Sequence, residues 1–128
     1  MTLPRYSLAY FNHDGSIKET GGKAIHLVFQ PGYENLRAGQ ILRVANIICL
    51  FRNTHGIMNI ALSKNNKVIW DTTMTQFRTV GRIPYFLFTK KINEPGEYIY
   101  SSNAKIISND RNTLIKGDHR KVVIHISK

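Results

Sequence analysis

Short runs of alternating apolar and polar residues, separated by turn-forming residues every eight to twelve positions, constrain this 128-residue chain to an all-β architecture. Arg5 to Phe11 alternates and ends at Asn12-His13-Asp14-Gly15, where Asp-Gly is a hairpin signal, and Ser16 to Glu19 returns. Gly21-Gly22 breaks the chain before Lys23 to Phe29. Gly39 supplies a backbone that can take positive φ in the turn before Ile41. Beyond it, Leu42, Val44 and Ile48 point to one face and Ile41, Arg43 and Ala45 to the other. Gly56 to Ser63 and Val68 to Thr72 flank Lys64-Asn65-Asn66-Lys67, a second hairpin whose asparagines tolerate the left-handed conformation of a tight turn. Thr72 to Gly81 is a polar connection. Phe86 and Phe88 share a face opposite Tyr85 and Leu87; Pro95-Gly96 is a turn, and Tyr98 and Tyr100 share a face after it. Ala104 to Ile107 can extend the strand of Tyr98 and Tyr100, Ser108-Asn109-Asp110-Arg111-Asn112 is a turn and Thr113 to Lys116 can pair back; the last strand, Lys121 to Ser127, aligns Val122, Ile124 and Ile126. The expected fold is a two-sheet antiparallel Greek-key β-sandwich, one domain over residues 1–128. Its expected core is Val28, Leu42, Val44, Leu62, Trp70, Phe86, Tyr98, Val122 and Ile124.

Eighteen Lys and Arg against eight Asp and Glu give a net charge of +10, which points to an acidic partner: an acidic protein, nucleic acid or another polyanion. A single cysteine, Cys49, excludes an internal disulfide, and its apolar surroundings suggest a buried thiol. No stretch has the length of a membrane span, no signal-peptide core follows Met1, and no Asn-x-Ser/Thr acceptor occurs, which fits an intracellular protein without requiring one and leaves the compartment open.

Catalytic signatures are lacking. The sequence has no Gly-x-Ser-x-Gly elbow, no phosphate-binding Gly-Lys-Ser/Thr loop and no His-Glu-x-x-His pair. Its carboxylates lie scattered beside turns or basic residues, which gives paired acid/base chemistry no support. The chain is therefore read as a non-enzyme.

Phe29-Gln30-Pro31, the run Leu36-Arg37-Ala38-Gly39-Gln40-Ile41-Leu42-Arg43-Val44-Ala45-Asn46 and, far downstream, Pro95-Gly96-Glu97-Tyr98-Ile99-Tyr100 together resemble the framework of the cupredoxins. The resemblance implies a copper site built from two imidazoles and a thiolate. Ser102 stands where the family has its cysteine, and Lys105 where a second imidazole would follow. His55 falls near the first histidine and His119 near the axial position; with Cys49 they are the candidate metal ligands of a divergent copper protein. The primary expectation is a metal-free, cupredoxin-like binding module without cofactor. In it, the segment Asn103 to Lys121 replaces the ligand loop with a lengthened basic loop, and Lys105, Arg111, Lys116, Arg120 and Lys121 contact an acidic partner. A second alternative is a small viral or structural sandwich protein contacting nucleic acid; against it, the positive charges are spread along the chain and no aromatic RNA-binding signature appears.

Overall fold

A computed structural model describes residues 9–11, 17–19, 24–50, 53–81 and 83–128. Strands β1 (Ala9–Phe11) and β2 (Ile17–Glu19) pair antiparallel, Phe11 opposite Ile17, as the arms of the first hairpin; its turn, Ser16 and residues 5–8 lie outside the described residues. Eight further strands follow: β3 (Ile25–Phe29), β4 (Gln40–Ile48), β5 (Thr54–Lys64), β6 (Lys67–Met74), β7 (Arg78–Val80), β8 (Ile83–Ile92), β9 (Gly96–Ser108) and β10 (Leu114–Ile126). They form two antiparallel four-stranded sheets, β3-β4-β8-β7 and β10-β9-β5-β6, which makes the fold a β-sandwich. A three-residue 3₁₀ turn, Tyr33–Asn35, is the one helical segment among the described residues.

Turn chemistry sets these elements where the sequence places them. Lys64 pairs with Lys67 across Asn65 and Asn66, whose φ values of 53° and 61° are those of a two-residue type I′ hairpin. Gly39 takes φ 91° and donates its N–H to Ile92 O, fixing the entry to β4. The connections β4–β5, β6–β7 and β8–β9 cross between sheets. The polar segment after Thr72 supplies the second of these, with β7 adding an edge strand to β8. The resulting order is the A-B-E-D and G-F-C-C′ arrangement of immunoglobulin-type sandwiches.

A corner tyrosine reinforces that arrangement. Tyr98, at the start of β9, donates its hydroxyl to Glu94 O at 2.7 Å and closes the β8–β9 corner. Two residues on, where immunoglobulin domains carry half of the disulfide that joins their sheets, stands Tyr100. Its buried hydroxyl donates to Asn46 Oδ1 on β4 at 2.5 Å, crossing the sandwich. The Asn46 amide nitrogen in turn donates to Val44 O and Phe86 O, at 3.1 and 3.0 Å. Burial pushes the Tyr100 phenol well above its ordinary pKa, against a smaller opposite pull from the bond to Asn46.

Leu42, Val44, Leu62, Tyr98 and Ile124 occupy the core as expected from the sequence. Phe88, Met58, Ile60, Ile106 and Tyr100 complete it. Trp70, Phe86 and Val122 are half-buried at its margin, with Trp70 meeting Phe88 edge-on at 5.0 Å. Val28 is a correction: Ile25, Leu27 and Phe29 point inward, so the period of two sends Val28 to the outer face of β3.

Two inner positions carry testable consequences. The Ser102 hydroxyl is fully buried without a hydrogen-bond partner, so Ser102→Ala should leave stability unchanged or raise it by up to about 1–3 kcal/mol in urea denaturation. A Cβ at Gly56 would lie 2.5 Å from Cδ1 of the fully buried Ile48 and 3.0 Å from Leu50 Cδ2. The same measurement should show Gly56→Ala losing about 1–3 kcal/mol by overpacking.

Candidate functional site

The segment Asn103 to Lys121 is not the loop expected from the sequence. It is the body of a long hairpin, in which β9 and β10 pair from Ile107↔Leu114 to Gly96↔Ile126. The strand extension over 104–107, the turn after Ser108 and the return towards Lys116 are as the local sequence suggests, and the pairing continues through Lys121. Alternation then separates the five expected contact residues. Lys105 and Lys121 lie on the outer face of the sheet; Lys116 and Arg120 have the inward parity of Val122 and Ile124 and are half-buried at the edge; Arg111 is exposed in the turn. Arg120 lies 3.5 Å from the Asp118 carboxylate, which also accepts the backbone N–H of Ile25 at 3.1 Å. Part of the basic hairpin thus serves to fasten β3 to β10.

The candidate metal ligands are not brought together. His55 pairs with Ile107 and His119 with Asn103, four residues further along β9 and on opposite flanks of it. Each ring has another partner: His55 Nδ1 bonds Asn109 Oδ1 at 2.6 Å, and His119 Nδ1 bonds Asn103 Oδ1. Cys49 is half-buried against the core just beyond β4. Among the described residues, no group of three or more His, Cys, Asp or Glu side chains is placed to hold a metal ion.

A different surface emerges on the β3-β4-β8-β7 sheet. Its four strands contain no Asp or Glu, whereas the other sheet carries Asp71, Glu97 and Asp118. Outward-facing residues align in rows across the strands: Val28, Ala45 and Leu87 in one; His26, Ile47, Tyr85 and Arg78 in the next; Ile41 beside Lys91 and Arg43 beside Thr89 towards the far end. Leu87 is 51% exposed and Ile41 39%, while Val28, Ala45 and Tyr85 are half-buried around them and Ile47 is buried. Lys91 and Arg78 are exposed at the two ends of this face, and Arg43 is exposed within it, between Ile41 and Ala45. Beside Leu87, a partly enclosed cleft of about 400 Å³ is lined by Gln76, Arg78, Tyr85, Phe86 and Leu87. That volume suits one or two apolar side chains with a cation at hand. Alternation had shown Leu87 and Tyr85 sharing a face, but its joining to Val28, Ile47 and Arg78 depends on pairing across four strands that no local pattern reveals.

Fold and surface together define a β-sandwich with an exposed apolar and cationic sheet face. No family model matches the sequence, and no curated protein matches it. Among solved structures, the chain is similar to the CARDB domain of a Pyrococcus furiosus protein, solved in complex with di-metal ions; the TM-score is 0.48 at 10% identity, covering 84% of this chain and 98% of that one. The two antiparallel sheets are the supported part of the cupredoxin resemblance; membership of the cupredoxins is not shown.

His26, at the end of one row, has its pKa lowered, first by burial and then by the nearby positive charge of Arg120. A depressed folded-state value means that His26 contributes stability above its ordinary value of 6.5, and that this contribution is lost as pH falls through the lowered folded value. The urea midpoint should therefore decline from about pH 7 to about pH 5, and His26→Gln should flatten part of that decline.

Proposed function

We propose that this protein is a non-enzymatic interaction module that engages an acidic protein partner through the outer face of the β3-β4-β8-β7 sheet. The observation that carries this reading is a face on which exposed Leu87 and Ile41 alternate with the cations Arg43, Arg78 and Lys91, in a sheet whose strands hold no carboxylate. Apolar contact supplies affinity where water is displaced; the cations steer and select partners whose acidic groups surround an apolar anchor. The excess of positive charge over the whole chain reinforces the approach of such a partner.

Charge reversals on the two sheets separate this face from the hairpin favoured by the sequence. Leu87→Glu, and Arg43→Glu with Lys91→Glu, should weaken the complex with an acidic partner by about tenfold or more, with the charge reversal acting mainly on association rate. Lys105→Glu with Lys121→Glu, on the opposite outer face, should change binding only through net charge. Affinity should fall with added salt, since the Debye length is about 8 Å at physiological ionic strength. Titration calorimetry or surface plasmon resonance gives the comparison, and equal loss from both double reversals contradicts the assignment of the face.

A further inference from the structure

We infer that the segment seated on this face is an amphipathic α-helix of between three and four turns, carrying an apolar stripe flanked by Asp and Glu; this rests on the reading of the face as the docking surface. Three observations favour a helix over an added strand or a loop.

The first is that the edges of the sheet are blunted. β7 has three residues and β3 five, and the outward N–H of Ile25 on β3 is already held by Asp118 of β10. Strand addition needs a row of available backbone donors and acceptors, which neither edge offers over a useful length. The face itself is the accessible feature.

The second is size. From the Ile41–Lys91 row to the row in which Tyr85 stands beside the buried Ile47, with Arg43 and Thr89 between, the face follows β4 for six residue steps, roughly 20 Å at strand rise. Across β3, β4 and β8 it is two strand spacings wide, roughly 10 Å. A helix is about 10–12 Å across and rises about 1.5 Å per residue, so roughly 13 residues cover the strip along its length. Apolar residues at i, i+3, i+4 and i+7 meet Val28, Ala45 and Leu87 across the strands, with one side chain entering the cleft beside Tyr85.

The third is charge. Lys91 and Arg43 stand at the Ile41 end and Arg78 at the Tyr85 end, so cations meet both ends of a helix laid along β4. Carboxylates flanking the apolar stripe would find partners at each end, and no carboxylate of these strands opposes them.

Selection from a displayed library of random peptides about 16 residues long tests the inference, using the full chain as bait and the Leu87→Glu variant for counter-selection. Retention of the wild-type urea midpoint establishes that the variant folds, and Arg43→Glu serves as a second counter-selection. The expected consensus has apolar residues spaced three and four apart and an excess of Asp and Glu. A synthetic peptide of that sequence should gain helical circular dichroism on binding, and a central proline should weaken it by at least about tenfold. Enriched sequences that alternate with period two, or a proline tolerated without loss, overturn the helix and leave the face standing. Equal enrichment on wild type and both variants overturns the face itself. Binding of phosphatidylserine vesicles or single-stranded RNA that Leu87→Glu abolishes, with no acidic peptide enriched, replaces the protein partner and overturns both.

Discussion

Everything in this sandwich is arranged around one buried contact between its sheets, the hydrogen bond from Tyr100 on β9 to Asn46 on β4. A buried amide is costly unless every polar atom is satisfied, and Asn46 is satisfied by elements that must all be in place: Tyr100 from the opposite sheet, Phe86 O from the neighbouring strand and Val44 O from its own. The bond therefore forms only in the correct pairing of β4 with β8 and the correct stacking of the two sheets. It stands where immunoglobulin-type domains place a disulfide, in a chain whose one cysteine cannot form an internal bridge. Around it the rings of Phe29, Tyr100, Phe88 and Trp70 meet successively at centroid distances of 5.9, 5.2 and 5.0 Å, mostly edge-on, so the polar contact is sealed by aromatic packing.

Because the lock is internal, the outer faces can diverge in character. One bears Lys105, Lys121, His119 and Asp71, with exposed Val68 and Val123 among them; the other sets Leu87 and Ile41 among cations, in strands without a carboxylate. Seams are handled separately: Asp118 reaches from β10 to the backbone of Ile25 and holds Arg120, while Ser127 exchanges backbone bonds with Leu36 and Ala38. The charged residues of β10 that resemble a contact surface in the sequence are thus partly occupied with closing the sandwich.

Much of the fold was legible because local rules sufficed for it. Asn65-Asn66 and Gly39 have one conformational use each, and the alternation of β4 and β8 sorted Leu42, Val44 and Phe88 inward and Leu87 outward. Val28 was misplaced because Ile25, Leu27, Val28 and Phe29 are apolar on both parities, so register rather than composition decides their faces. The extension of β9 was legible because buried Ala104 and Ile106 alternate with exposed Asn103 and Lys105, whereas Lys116 to Lys121 on β10 is polar on both faces and leaves no period to read. Tyr100 and Asn46, 54 residues apart, could be placed on their strands but not against one another. The candidate site combines side chains from four strands, which is why charge was visible in the sequence and its location was not.

The central claim, that Asn46 and Tyr100 act as one unit joining the sheets, is tested most directly by a double-mutant cycle of Asn46→Val and Tyr100→Phe in urea denaturation. Each single change strands the other's buried polar group, whereas the double change removes both, so the double mutant should be less destabilised than the sum by about 1–2 kcal/mol. Costs that add to within about 0.3–0.5 kcal/mol would contradict the account.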